Sequence, residues 1–153
     1  MRLDKARRRF LALAFAATVA GLPAGAGELL NTDENNLALS GYDPVAYFTE
    51  ARPVVGDPNI SVDWQDARWQ FSSDTHRAMF EEDPDKYAPR YGGFCAGGMS
   101  LGRKSDIDPE AWMIVDGQLF LGGSEGAITY MKKDTAGKIE KANENWTSIG
   151  VTN

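Results

Sequence analysis

Residues 111–121 read Ala-Trp-Met-Ile-Val-Asp-Gly-Gln-Leu-Phe-Leu, two apolar runs joined by Asp116-Gly117. A two-residue type I′ turn needs left-handed backbone at both central positions, and Asp-Gly meets that need at little steric cost. No other stretch fixes local geometry so firmly. It commits this part of the chain to an antiparallel hairpin, and the remainder must supply apolar faces to cover it.

A second hairpin is expected upstream. Residues 60–64 and 68–72 alternate apolar and polar about a turn at Gln65-Asp66-Ala67, with Trp69 and Phe71 on the core face. Ser73 is a good N-cap and Asp74 suits a helix N-terminus, so a helix is predicted to about Glu82 with His76, Met79 and Phe80 on one face. Ser124 is expected to cap another through about Lys133, with Ile128 and Met131 facing in. A last helix over residues 136–146 offers Ile139, Ala142 and Trp146 as its buried face. Asp43-Pro44 supplies an N-cap and a proline at the first helical position, starting one or two turns that carry Val45, Tyr47 and Phe48 toward the core. Pro89, Gly92 and Gly93 open a loop, and Gly97-Gly98 are expected to keep the backbone loose around Cys95. Hairpins with segregated helices predict a small single α+β domain with two antiparallel hairpins and several short helices, over residues 37–150. Residues 27–36 are predicted to form a flexible, polar lead-in. The sequence shows no internal repeat.

Residues 1–26 have the order of an export signal. Arg2, Lys5, Arg7, Arg8 and Arg9 make a basic region, residues 10–22 are uncharged and apolar, and Ala24-Gly25-Ala26 is a small-residue cleavage site. Arg7-Arg8-Arg9-Phe10-Leu11 resembles the twin-arginine pattern, which implies the twin-arginine export machinery as partner and a periplasmic destination, the alternative being a general secretory signal with an arginine-rich start. The apolar run falls short of the roughly 20 residues of a membrane span, so no stable anchor is expected after cleavage. Taking its five Lys/Arg and one Asp from totals of 16 and 22 leaves 11 basic and 21 acidic residues, a net charge of −10. Such a chain repels phosphate, so nucleic acid and anionic membranes are poor partners.

No nucleophile turn, phosphate loop or dinucleotide fingerprint occurs. His76 is the one histidine and Cys95 the one cysteine. A single thiol cannot form an internal disulfide, so Cys95 is a buried inert thiol, an intermolecular link, or a reactive or metal-binding sulfur. The chain cannot supply a sulfur- and nitrogen-rich zinc set, but copper accepts a thiolate, an imidazole and a thioether. Cys95, His76 and Met99 are the candidate ligands for copper or another soft metal ion.

Several blocks resemble the exported bacterial YHS-domain proteins. They are Gly41-Tyr42-Asp43-Pro44-Val45-Ala46-Tyr47-Phe48, Trp69-x-Phe71-Ser72-Ser73, Phe80-x-x-Asp83-Pro84-x-Lys86-Tyr87, Tyr91-Gly92-Gly93-Phe94-Cys95-Ala96 and Asp108-Pro109-x-Ala111-Trp112, followed by Asn145-Trp146. The resemblance implies a small α+β domain and a link to heavy-metal handling. In the wider group, cysteines stand where this chain has Ser72, His76 and Ala46, and only His76 keeps a soft-metal ligand. Three expectations follow. The first is a non-enzymatic periplasmic protein binding a copper-like ion through Cys95 with His76 or a methionine. The second is a small-ligand or protein-interaction module with Tyr42, Tyr91 and Cys95 lining a pocket. The third is a redox or haem-linked accessory using the Cys95 thiol.

Overall fold

Two hairpins carry the fold, and each runs into a helix capped by serine. The computed structural model describes residues 29–149, so the expected export signal lies outside the described residues. Strands β1 (Asp57–Trp64) and β2 (Ala67–Phe71) form one antiparallel sheet, and β3 (Asp108–Val115) and β4 (Gln118–Gly122) form another. Helices are α1 (Ala46–Thr49), α2 (Asp74–Glu82), α3 (Pro84–Tyr87), α4 (Ala96–Ser100), α5 (Glu125–Lys132) and α6 (Thr135–Ile149). The architecture is α+β. The turn at Asp116-Gly117 has φ of 50° and 75°, as its residue types require. No helix among the described residues is long and apolar enough to cross a membrane.

The fold contains a repeat that the residue types conceal. Asp57-Pro58 opens β1 and Asp108-Pro109 opens β3; β2 and β4 begin at Ala67 and Gln118; the caps are Ser73 and Ser124. Each landmark thus recurs 51 residues on. Both leading strands also slip register after their first residue. Asp57 faces Phe71 while Ser61 faces Gln70, and Asp108 faces Gly122 while Trp112 faces Leu121. Upstream, Leu39, Ser40 and Gly41 have φ of 53°, 52° and 80°, and Tyr91, Gly92 and Gly93 have 59°, 58° and 79°. Each left-handed run closes with the same bond at 3.0 Å, Tyr42 N–H to the Leu39 carbonyl and Phe94 N–H to the Tyr91 carbonyl. A short helix follows in both places, α1 in the first unit and α4 in the second.

Each unit fills its own core. Tyr47, Trp69, Phe71 and Phe80 pack in the first; Tyr91, Met99, Phe120, Ile128, Met131 and Ala142 pack in the second. Strand β4 divides them. Side chains alternate across a strand, so Leu119 and Leu121 enter the first core and Phe120 the second, all three at most 1% exposed.

Two expectations are corrected. The described part of the lead-in, from residue 29 on, is fastened, not loose. Asn31 N–H donates to the Gly92 carbonyl at 2.8 Å, the Asn31 amide to the Gly93 carbonyl, and Thr32 bridges Ala38. Residues 96–100 form α4 instead of a loose loop, and all five are buried. Small residues are needed there for contact. A Cβ on Gly97 would meet Ala127 Cβ at 3.4 Å, so α4 lies directly against α5.

Candidate functional site: two equivalent junctions

In each unit one buried side chain ties the start of the short helix to the point where the hairpin becomes a helix. In the first unit it is Asp43, fully buried. Its Oδ1 accepts the N–H groups of Val45 at 2.9 Å and Ala46 at 3.3 Å, the local pattern of a capping aspartate. Its Oδ2 reaches across the fold to Ser72, accepting the backbone N–H at 2.8 Å and the hydroxyl at 2.7 Å. It also accepts from His76 Nδ1 at 2.6 Å. Five donors on one carboxylate offset the cost of removing it from water.

His76 is in the first turn of α2, where its N–H bonds the Ser73 cap at 3.1 Å. Its side chain is 12% exposed. A carboxylate only accepts, so Nδ1 carries the proton, and Nε2 becomes the nitrogen directed away from the core. Nε2 lies 3.1 Å from Thr49 Oγ1 at the exposed end of α1, and that hydroxyl is also 3.2 Å from the Val45 carbonyl. Thr49 has one hydroxyl hydrogen. It donates either to Val45 or to the imidazole, so the ring's second proton and the hydroxyl's direction are linked.

In the second unit the same place belongs to Cys95. It precedes α4 as Asp43 precedes α1, and its Sγ accepts the Gly98 N–H at 3.3 Å, matching the bond from Ala46. Sγ also accepts the Gly123 N–H at 3.1 Å. Gly123 directly precedes the Ser124 cap, as Ser72 precedes Ser73. The thiol is 4% exposed. Ala127, three residues past its cap, stands where the first unit has His76, so this junction has no imidazole.

The expected soft-metal set is therefore split. His76 lies on α2, which packs on β1, β2 and α3, while Cys95 and Met99 are one turn apart at α4, which packs on α5, α6 and β4. Among the described residues His76 and Cys95 share no hydrogen-bonding partner, and Met99 is fully enclosed in the second core. Among the described residues no three His, Cys, Asp or Glu side chains gather as a metal cluster. The three donors sit on two helices with different packing partners. What the fold offers a metal is a single imidazole held by a carboxylate.

The two tyrosines are also apart. Tyr42 is half-buried against the first core and bridges Val55. Tyr91 is 1% exposed in the second, its ring near Phe120 and Trp146 and its hydroxyl donating to Asn143 Oδ1 at 3.0 Å. Burial pushes the Tyr91 phenol up to about 12, against the opposing charge of Arg90. Asp43, Thr49 and Ser72 were not expected among the site residues. The Asp-Pro cap pointed to Asp43 locally, but nothing in the sequence marks its reach to residues 29 and 33 positions away. Comparison with family models, with curated proteins and with solved structures found no match.

Proposed function

We propose that this chain is an exported YHS-type domain that handles a soft, copper-like metal ion without catalysing a reaction, with His76 as the metal-facing ligand. The observation that carries this reading is the 2.6 Å contact between His76 Nδ1 and the buried Asp43 carboxylate. Metal-binding imidazoles give their second ring N–H to a carboxylate or carbonyl, which fixes the tautomer and raises ligand basicity. Asp43 is such a partner, and it leaves Nε2 next to the surface. One imidazole leaves the other coordination positions to water or to groups from another molecule, which suits passing an ion on better than storing it. Periplasmic location rests on the twin-arginine-like start of the chain. Titration of the mature protein with Cu(II), followed by calorimetry in every variant and on the His76 ring signals in the native chain, tests the reading. Saturable binding is expected, absent in His76→Gln and weakened about 10- to 100-fold in Asp43→Asn. Binding that survives His76→Gln contradicts it.

A second reading is favoured by Cys95. Two backbone N–H groups are directed at Sγ, a polar setting that fits an accessory protein with a reactive sulfur. Alkylation of the folded protein distinguishes the two. Modification of Cys95 at a rate comparable to an exposed thiol supports the thiol reading, and modification only on unfolding removes it.

A further inference from the structure

Among the described residues, two buried side-chain polar atoms have no hydrogen-bonding partner, Gln65 Oε1 and Arg90 Nε. Both residues line one cavity of about 260 Å³, between the β1–β2 turn of the first unit and the left-handed run of the second. One atom is an acceptor and the other a donor. Leaving each unpaired costs about 1–3 kcal/mol, so native proteins seldom keep such atoms without a use.

The walls restrict what would satisfy them. Arg90 Nη2 donates to Asn143 Oδ1 at 3.3 Å, and the guanidinium lies 5.6 Å from the Tyr91 ring centre. Its planar fork of donors suits a carboxylate. Gln65 Oε1 needs an N–H or O–H donor. Asp85, exposed on α3, also lines the cavity and supplies a negative charge. Trp64 supplies an apolar surface to the same cavity. The volume is just below the roughly 300–1,000 Å³ of small-molecule sites.

We propose that this inter-unit cavity binds a small zwitterion of amino-acid type, its carboxylate on Arg90, its ammonium on Gln65 and Asp85, and its side chain against Trp64. The two orphaned atoms are closed to bulk water in the ligand-free fold, so binding turns the Gln65 amide and the guanidinium toward the ligand. This site is separate from the His76 junction, and its ligand contains no metal.

The test is NMR titration of the mature protein with each of the twenty free L-amino acids, read at the Arg90 Nε–H and the Gln65 side-chain amide. At least one amino acid is expected to shift both signals saturably, while acetate and methylammonium separately do not. Gln65→Asn keeps a residue suited to left-handed backbone, φ being 50° here, but withdraws the carbonyl by one methylene. It is expected to weaken binding about tenfold, and Asp85→Asn to weaken it less. No saturable shift with any of the twenty overturns the proposal. So does an Arg90 Nε–H cross-relaxing with a long-lived water, or an affinity unchanged in Gln65→Asn.

Discussion

The first and second units place different acceptors in one architectural position. Asp43 and Cys95 both follow a left-handed run, both accept an N–H three residues on, and both take the N–H just before the serine cap of the next helix. The first unit adds the Val45 N–H, Ser72 Oγ and His76 to its acceptor, and among the described residues the second adds no further donor. A carboxylate buried beside an imidazole makes a polar junction that reaches the surface at Thr49. A thiol facing two amides makes a closed one. The comparison shows that the shared device is a staple between short helix and hairpin, and that only the first unit adds an imidazole to it.

Removing the acceptor from the first copy is the largest perturbation. Asp43→Ala leaves five donors without their partner, and breaking a buried charged pair costs about 3–5 kcal/mol, measurable as a lower urea midpoint. If Asp43→Ala costs no more than an exposed substitution, the staple is not what holds the first unit. Cys95→Ala uncovers two amides and is expected to cost about 1–3 kcal/mol, with Cys95→Ser between it and the native chain. A larger loss from Cys95 than from Asp43 would reverse the ranking drawn from donor number.

The two units respond alike to alkali. Burial, then Tyr42 and the carboxylates of Glu110, Asp108 and Asp43, hold the Tyr47 phenol above the ordinary tyrosine range, and burial raises Tyr91 to about 12. The unfolded chain therefore gives up these protons first, near the ordinary value of 10. Stability is intact below that pH and falls as pH rises toward 12, by about 1.4 kcal/mol per pH unit per phenol. Tyr91→Phe is expected to reduce that slope in alkaline denaturation curves; an unchanged slope would locate the effect elsewhere. The smallest effect is at Thr49. Thr49→Val keeps shape but removes the hydroxyl beside Nε2, and is expected to cost about 0.5–1.5 kcal/mol and to move the His76 ring signals in NMR spectra, with Tyr91 and Cys95 signals unmoved.

Local structure was legible in the sequence where local chemistry decides it. Asp116-Gly117 gave its hairpin, Ser73 and Ser124 gave their helix starts, and Trp69, Phe71, Ile128 and Met131 are buried as periodicity required. Helix α4 was hidden because Gly97 and Gly98 read as loop residues, while close contact with Ala127 and residues 103–105 is what orders them. The repeat was hidden for a related reason. Packing asks only for apolar bulk at a position, so Trp69 answers to Phe120, Phe80 to Met131 and Tyr47 to Met99 with no identity kept. The Asp43–His76 contact joins residues brought together by the first hairpin, and periodicity carries no such information.

Amide hydrogen exchange, read residue by residue, tests the equivalence of the two junctions most directly. In the native chain the amides of Ala46, Ser72, Gly98 and Gly123 are all expected to be protected. Asp43→Ala should speed exchange at Ala46 and Ser72 while Gly98 and Gly123 stay slow, and Cys95→Ala should do the reverse. Unchanged protection at Gly123 in Cys95→Ala would contradict the account, because Sγ would then not be the acceptor that makes the second junction a copy of the first.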